Sequence, residues 1–185
     1  MTFGERVVGA LKLDVATFED IERDPSAMGQ AIGIIALAAV ASSLGNIWSG
    51  AAFAIVFGVI ASLVGYMVWA LVVWAVGTKL MPDPQTHADF PEAFRTIAFA
   101  SAPGLIGVVS IIPFLGWFLM LLLLPIIWLW SMAAMVVAVK AVLDYTETFK
   151  AVIVVIIGFV AYMIVWGTFA VLSFGAALIG GTLTR

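Results

Sequence analysis

Three long stretches without a charged side chain divide this sequence: Pro25 to Thr78 (54 residues), Thr96 to Val139 (44) and Ala151 to Thr184 (34). About 20 apolar residues cross a hydrocarbon core ~30 Å thick. The pattern therefore predicts two helical spans in the first stretch, two in the second and one in the third. They fall near 27–47, 52–78, 97–112, 115–139 and 151–173. The connections inside the first two stretches are brief, Gly45-Asn46 with Ser49-Gly50 and Pro113-Phe114-Leu115-Gly116. Unpaired backbone is costly in lipid, which favours tight helical hairpins there. The predicted fold class is all-α: a polytopic transmembrane bundle of five helices, residues 25–185, preceded by an amphipathic segment, residues 1–24.

In that leading segment Phe3, Val7, Leu11, Val15 and Phe18 recur at helical spacing, with Glu5, Arg6, Lys12, Glu19 and Asp20 off the stripe. Such a stripe fits a helix at the membrane interface. Gly9 and Asp14 weaken a single helix, and two pieces breaking near Leu13-Asp14 fit equally well. The segment either senses the membrane surface or is a lead-in packed on the bundle. Asp24-Pro25 has the form of an N-cap followed by proline at the first helical position. Asp89-Phe-Pro-Glu92 reads as a capping box opening the helix that leads into span three. Thr146 is the expected cap of span five. Pro103 and Pro125 fall inside spans, where each removes a helix hydrogen bond and predicts a kink whose freed carbonyl a nearby serine or small residue can satisfy.

Composition reinforces the pattern: 64% of the 185 residues are hydrophobic and 10% charged, against roughly 25% charged in a soluble domain. Five spans put the termini on opposite sides. Arg6, Lys12, Arg23, Lys79, Arg95, Lys140 and Lys150 then share one side and Arg185 lies alone on the other. Cations mark the cytoplasmic face, which predicts a cytoplasmic N-terminus and an outer C-terminus. The first 24 residues carry mixed charges and lack an apolar core of the kind a signal peptide needs, so the first span is expected to act as an uncleaved anchor. The chain has no cysteine, which removes disulfides and thiolate metal sites. Trp48 and Trp117 fall near predicted outer ends, as an aromatic belt requires. Trp69, Trp128, Trp130 and Trp166 fall deeper, as packing residues.

Signatures of catalysis, a nucleophile beside a base, paired carboxylates, a metal cluster or a phosphate loop, do not occur in the sequence. The single histidine, His87, has no second ligand at metal spacing. The spans carry no ionisable group at mid-depth, whereas ion-coupled carriers keep such groups. Their polar side chains are neutral, among them Asn46, Ser62, Ser101, Ser110, Ser131 and Thr168. Gly29 and Gly33 form a small-xxx-small pair of the type that lets helices approach closely. No enzyme activity, cofactor or metal is expected, nor any nucleic-acid partner. The two polar connections, Lys79 to Asp89 and Lys140 to Lys150, would gather Lys79, His87, Asp89, Glu92, Arg95, Lys140, Asp144, Glu147 and Lys150 under the bundle if they are neighbours. That set is the candidate docking surface for a soluble or peripheral protein; solvated loop ends with weak ion pairs are the alternative.

The whole chain resembles the Yip1 family of five-span membrane proteins in its short prokaryotic form. The resemblance is carried by Phe18-Glu-Asp-Ile-Glu-Arg-Asp-Pro-Ser26, Phe94-Arg-Thr-Ile-Ala-Phe-Ala-Ser-Ala-Pro-Gly104, Ile112-Pro-Phe-Leu-Gly116, Ile127-Trp128 and Ala141-Val-Leu-Asp-Tyr-Thr146. It implies an integral bundle, expected in a bacterial cytoplasmic (inner) membrane, with its N-terminus in the cytoplasm and its C-terminus outside. Eukaryotic relatives are associated with Rab GTPases and the shaping of secretory membranes. This chain lacks their long N-terminal region with its Asp-Leu-x-Gly-Pro type motif, so Rab binding is not carried over. The expected function is a non-enzymatic membrane scaffold or adaptor that contacts lipids and a second copy or a protein partner. The alternatives are a transporter or channel for a lipid or small neutral solute, and an accessory subunit of a larger membrane complex.

Overall fold

Apolar runs of helical length fold as helices in the computed structural model, which describes residues 1–49 and 53–183, with side chains at 46, 49, 53–54 and 173–183 excepted. Every regular element among the described residues is helical. The helices are α1 (Phe3–Leu11), α2 (Val15–Arg23), α3 (Ala27–Ser43), α4 (Phe53–Ala75), α5 (Phe90–Phe99), α6 (Leu115–Val142) and α7 (Thr148–Leu183). A 3-10 turn, Leu44–Ser49, ends α3; a π-helical turn, Val76–Leu80, extends α4; and a 3-10 stretch, Ala102–Ile111, follows α5. Gly50 and Arg185, a turn residue and the lone outer cation of the sequence reading, lie outside the described residues, as does the side chain of Asn46.

Three helices are long and apolar enough to cross a membrane: Ile55–Leu80, Leu115–Val142 and Thr148–Leu172. A fourth crossing arises if Phe90–Phe99 and Ala102–Ile111, bent by 41° at their junction, count as one broken span. Helix α3, the expected first span, has 17 residues and rises about 26 Å at ~1.5 Å per residue, a little short of the hydrocarbon core on its own. The outer walls are apolar. Leu121, Leu122, Leu124 and Leu129 of α6, and Ile156, Val160 and Ile164 of α7, are all more than half exposed. Large aliphatic surface on this scale is covered by lipid rather than water, and the chain is a multi-pass membrane protein.

The leading segment forms two helices rather than one, broken where Leu13 adopts φ 59°. They do not lie free at an interface. Ala10, Phe18 and Ile21 are fully buried in the same core as Ile34, Ile97 and Val139, while Val15, assigned to the apolar stripe, is 49% exposed. Thr2 and Glu5 form a capping box that starts α1, and Asp14 caps α2 through the Thr17 amide. Gly9 faces the Thr17 side chain too closely to admit a Cβ, which lets α1 and α2 fold back on each other.

The start of α3 departs from the expected Asp24 cap. The helix begins at Ala27, because the Asp24 carboxylate instead accepts from the Ser26 amide at 2.9 Å, the Ser26 hydroxyl at 2.6 Å and Arg6. Thr146 likewise does not cap the last helix, which begins at Thr148; its hydroxyl donates to Asp83 at 3.5 Å. The box at Asp89 and Glu92 is present in both directions, 2.7 and 2.9 Å, with proline in the first turn of α5.

The two prolines differ. Pro103 is buried at the junction of α5 with the 3-10 stretch, where the Ala98 carbonyl accepts from both the Ser101 hydroxyl at 2.6 Å and the Ser101 amide at 3.1 Å. Pro125 lies within α6, which continues through it from Leu115 to Val142. At the far end from α1 and α2, Phe114 takes φ 59° to reverse the chain and is 95% exposed. Trp48 and Trp117 project there, 63% and 77% exposed, and the Trp48 indole donates to the Ile111 carbonyl at 2.9 Å. Trp69 and Trp130 pack inward as expected, the latter donating to the Leu11 carbonyl at 2.9 Å. Trp128 is 49% exposed, so it is half a lipid-facing residue.

Candidate functional site

Two places gather polar groups in ways that apolar packing does not require: the charged end of the bundle and a cavity between the helices.

At the charged end the two polar connections are neighbours, as the docking surface requires. Thr86 donates its hydroxyl to the Leu143 carbonyl at 2.7 Å, Gln85 its amide to the Asp144 carbonyl at 2.9 Å, and Tyr145 its phenol to the Met81 carbonyl at 2.7 Å. The Lys150 ammonium pairs with the buried Asp83 carboxylate. That pair, with the Thr146 hydroxyl behind it, holds the Asp83 carboxyl below its ordinary range. These bonds fix one loop against the other.

The nine expected surface residues divide unevenly. His87, Asp89, Asp144, Glu147 and Lys79 are exposed, and Lys79 lies 5.7 Å from the Trp74 ring centroid. Lys140 donates to the Thr148 hydroxyl at 3.1 Å. Glu92 is spent on its cap, and Lys150 on Asp83. Arg95 is a correction: it is only 4% exposed. Its guanidinium donates to the carbonyls of Ile21 at 3.0 Å and Glu22 at 2.8 Å. A cation on the open carbonyls of a helix C-terminus is favourable, so Arg95 anchors α2 to α5 instead of facing a partner.

Sequence reasoning did not single out the network around Arg6, which is 1% exposed. Its guanidinium donates to Asp20 at 2.9 Å, Gln30 at 2.9 Å and Asp24 at 2.5 Å. Burial opposes its charge, but the hydrogen bonds it donates to Asp24 and Asp20 win and raise its pKa. The Ser26 hydroxyl and Arg6 together hold Asp24 far below the usual carboxylate range. Glu22 shows the opposite effect: burial, then the charges of Asp144 and Glu92, push its carboxyl up to about 7. The detectable signal was Gln30, a polar amide one turn into an otherwise apolar helix.

Deeper in the bundle, a cavity of about 530 Å³ opens between α3, α4, α6, α7 and the break after α5. Ala38, Ser62, Tyr66, Ser101, Ser131 and Phe159 are among the residues that line it, and none of the lining side chains is charged. An aromatic cluster borders it, with Trp69 5.1 Å from Tyr162 and 6.0 Å from Phe159 between ring centroids. Gly158 is what permits this: a Cβ there would overlap the Trp69 indole. The Trp69 indole N–H is buried without an acceptor among the described residues. Of the other neutral polar groups in the spans, Ser110 accepts from the Gly45 amide at 3.1 Å and Thr168 donates to the Ile164 carbonyl at 2.8 Å. No group of His, Asp or Glu suited to hold a metal ion occurs among the described residues.

Against this geometry, the family profile described as the Yip1 domain matches residues 11–181. The chain belongs to the Yip1 family. No curated protein and no solved structure matches it. The segments that carry the family likeness map onto the features above. Phe94 to Gly104 holds Arg95, the helix break and two cavity residues, Ser101 and Gly104; Ile127-Trp128 lines the same cavity; and Phe18 to Ser26 contains the Arg6 partners Asp20 and Asp24. In this Yip1 protein, therefore, the likeness falls on the anchoring of α2 and on the cavity wall, and also on two connections, the turn at Phe114 and the loop at Asp144.

Proposed function

We propose that this Yip1 protein is a non-enzymatic scaffold of the bacterial cytoplasmic membrane, crossing it five times with its N-terminus inside and its C-terminus outside. The observation that carries the reading is the joined pair of polar loops, fixed by Thr86, Gln85, Tyr145 and Lys150, on the same end as the two N-terminal helices. A surface held in one shape can present His87, Asp144, Glu147 and Lys79 to a protein without first ordering a loop, which lowers the entropic cost of binding. The five-span form counts α3 with its 3-10 turn as the first crossing and the broken α5 segment as the third. It is supported by the cation asymmetry, because seven Lys and Arg gather at one end.

Crosslinking through Lys79 or Lys140 in native membranes should capture one defined protein or a second copy; a partner-free monomer under the same conditions would refute the scaffold. The absence of cysteine makes the topology directly testable. A single cysteine at His87 should react with an impermeant maleimide only from the cytoplasmic side, and one at Phe114 only from outside.

A second reading, a pathway for a lipid or small neutral solute, is favoured by the uncharged cavity between the helices. Flux of such a solute in proteoliposomes would support it, and a lack of flux above protein-free vesicles would remove it.

A further inference from the structure

The lining of the intramembrane cavity limits what can occupy it. An ionised group placed among wholly uncharged side chains would lose its hydration with no counter-charge to replace it, so an occupant is neutral. Much of the wall is hydrocarbon and aromatic, contributed by Ile35, Leu124, Ile127, Trp128 and Phe159. Yet the wall is not oil alone. Ser62, only 8% exposed, lines it together with Ser131 and Tyr66, and the hydroxyls of all three have no hydrogen-bond partner among the described residues. These hydroxyls, two from α4 and one from α6, line the cavity as donors available to an occupant, and the buried Trp69 indole N–H beside them likewise has no acceptor among the described residues.

The volume, about 530 Å³, falls within the ~300–1,000 Å³ of ordinary small-molecule sites. Access is lateral. Leu124, Trp128 and Met163 line the cavity and are also 61%, 49% and 44% exposed on the apolar outer wall formed by α6 and α7. Whatever enters between them comes from the bilayer rather than from water.

We propose that this cavity binds one uncharged lipid bearing ester carbonyls, of the diacylglycerol type, which enters sideways between α6 and α7 and is held by the hydroxyls of Ser62, Tyr66 and Ser131. The proposal deepens the second reading above by naming its ligand class, and it requires binding but not flux.

The test uses the full chain in phospholipid nanodiscs with a diacylglycerol carrying a diazirine in one acyl chain. Photolabelling should map to residues near Trp128 and Met163, and unlabelled diacylglycerol should compete while phosphatidylglycerol should not. The double variant Ser62→Ala with Tyr66→Phe removes two hydroxyls that bond no other described residue, and it should lower labelling by about three- to tenfold. Ala39→Phe, which fills the opposite wall, should abolish labelling; if that variant does not fold, the double variant decides alone. Labelling spread over outer positions such as Leu121 and Ile164, equal competition by phosphatidylglycerol, or unchanged labelling of the double variant would overturn the proposal. Site-specific labelling without flux upholds it while removing transport, and flux without labelling at the cavity does the reverse.

Discussion

Arg6 is the residue on which the charged end depends. Its guanidinium is almost wholly buried and meets two carboxylates and an amide, from α2, the residue that ends it, and α3. Replacing it with methionine keeps the aliphatic bulk but leaves Asp20, Asp24 and Gln30 without their common donor. Arg6→Met should lower stability by about 2 kcal/mol, toward the lower end for broken buried pairs because both carboxylates stay part-solvated, measured as the shift in thermal unfolding in mild detergent. Glu22 carries a pH dependence of defined sign. Its carboxyl is raised to about 7 in the fold by burial and by Asp144 and Glu92, so the native state holds a proton that the unfolded chain releases near the ordinary Glu value. Its contribution is therefore favourable at low pH and lost as pH climbs through 7. Glu22→Gln should melt a few degrees higher than the parent at pH 8 and close to it at pH 5.

Among the elements, the bent pair of α5 and the 3-10 stretch Ala102–Ile111 is the most constrained. Gly107 in its 3-10 stretch packs against α3, and a Cβ there would lie 2.7 Å from the Ser42 Cα and 2.9 Å from the Ser42 amide nitrogen. Backbone cannot yield as a flexible side chain can, so Gly107→Leu should cost about 1–3 kcal/mol through overpacking, read as a lowered unfolding temperature and looser proteolytic protection of α3. This scale also separates what was legible in the sequence from what was not. The box at Asp89 and Glu92 could be read because both partners lie within one turn, and the break at Pro103 because a missing N–H has a local consequence. Arg95 could not be placed, since a cation near a span end looks the same whether it meets water or the carbonyls of a helix 73 residues earlier. Asp24 was half legible: one carboxylate oxygen accepts locally from the Ser26 amide and hydroxyl, while the other takes the distant Arg6, which its local pattern does not announce. The cavity was only partly foreseeable. Its serines were visible as neutral polar groups in the spans; that Ser62 and Ser131 face one space depends on helix rotation, which α4 and α6, apolar on every side, do not encode in their periodicity.

For the whole molecule, lipid contact and burial are inverted relative to a soluble protein. The polar end contains the most tightly closed core, where α1 and α2 roof α3, α5 and α6, whereas the midsection holds the cavity and the apolar outer walls. The family likeness spans residues 11–181 and so covers α2 of the roof and the midsection, while all of α1 but its last residue precedes it. The proposed partner contact at the first and the proposed lipid binding in the second should thus be separable, by substitutions at loop tips or at cavity hydroxyls.

The roof has one more implication. Because Arg6 reaches Gln30 of α3 and the terminal ammonium lies 3.6 Å from Asp20, the start of the chain is no tether. A small fluorophore coupled at Met1 should show slow rotational decay matching the entire micelle, and the rapid wobble of a free tail should return only when Arg6 is replaced.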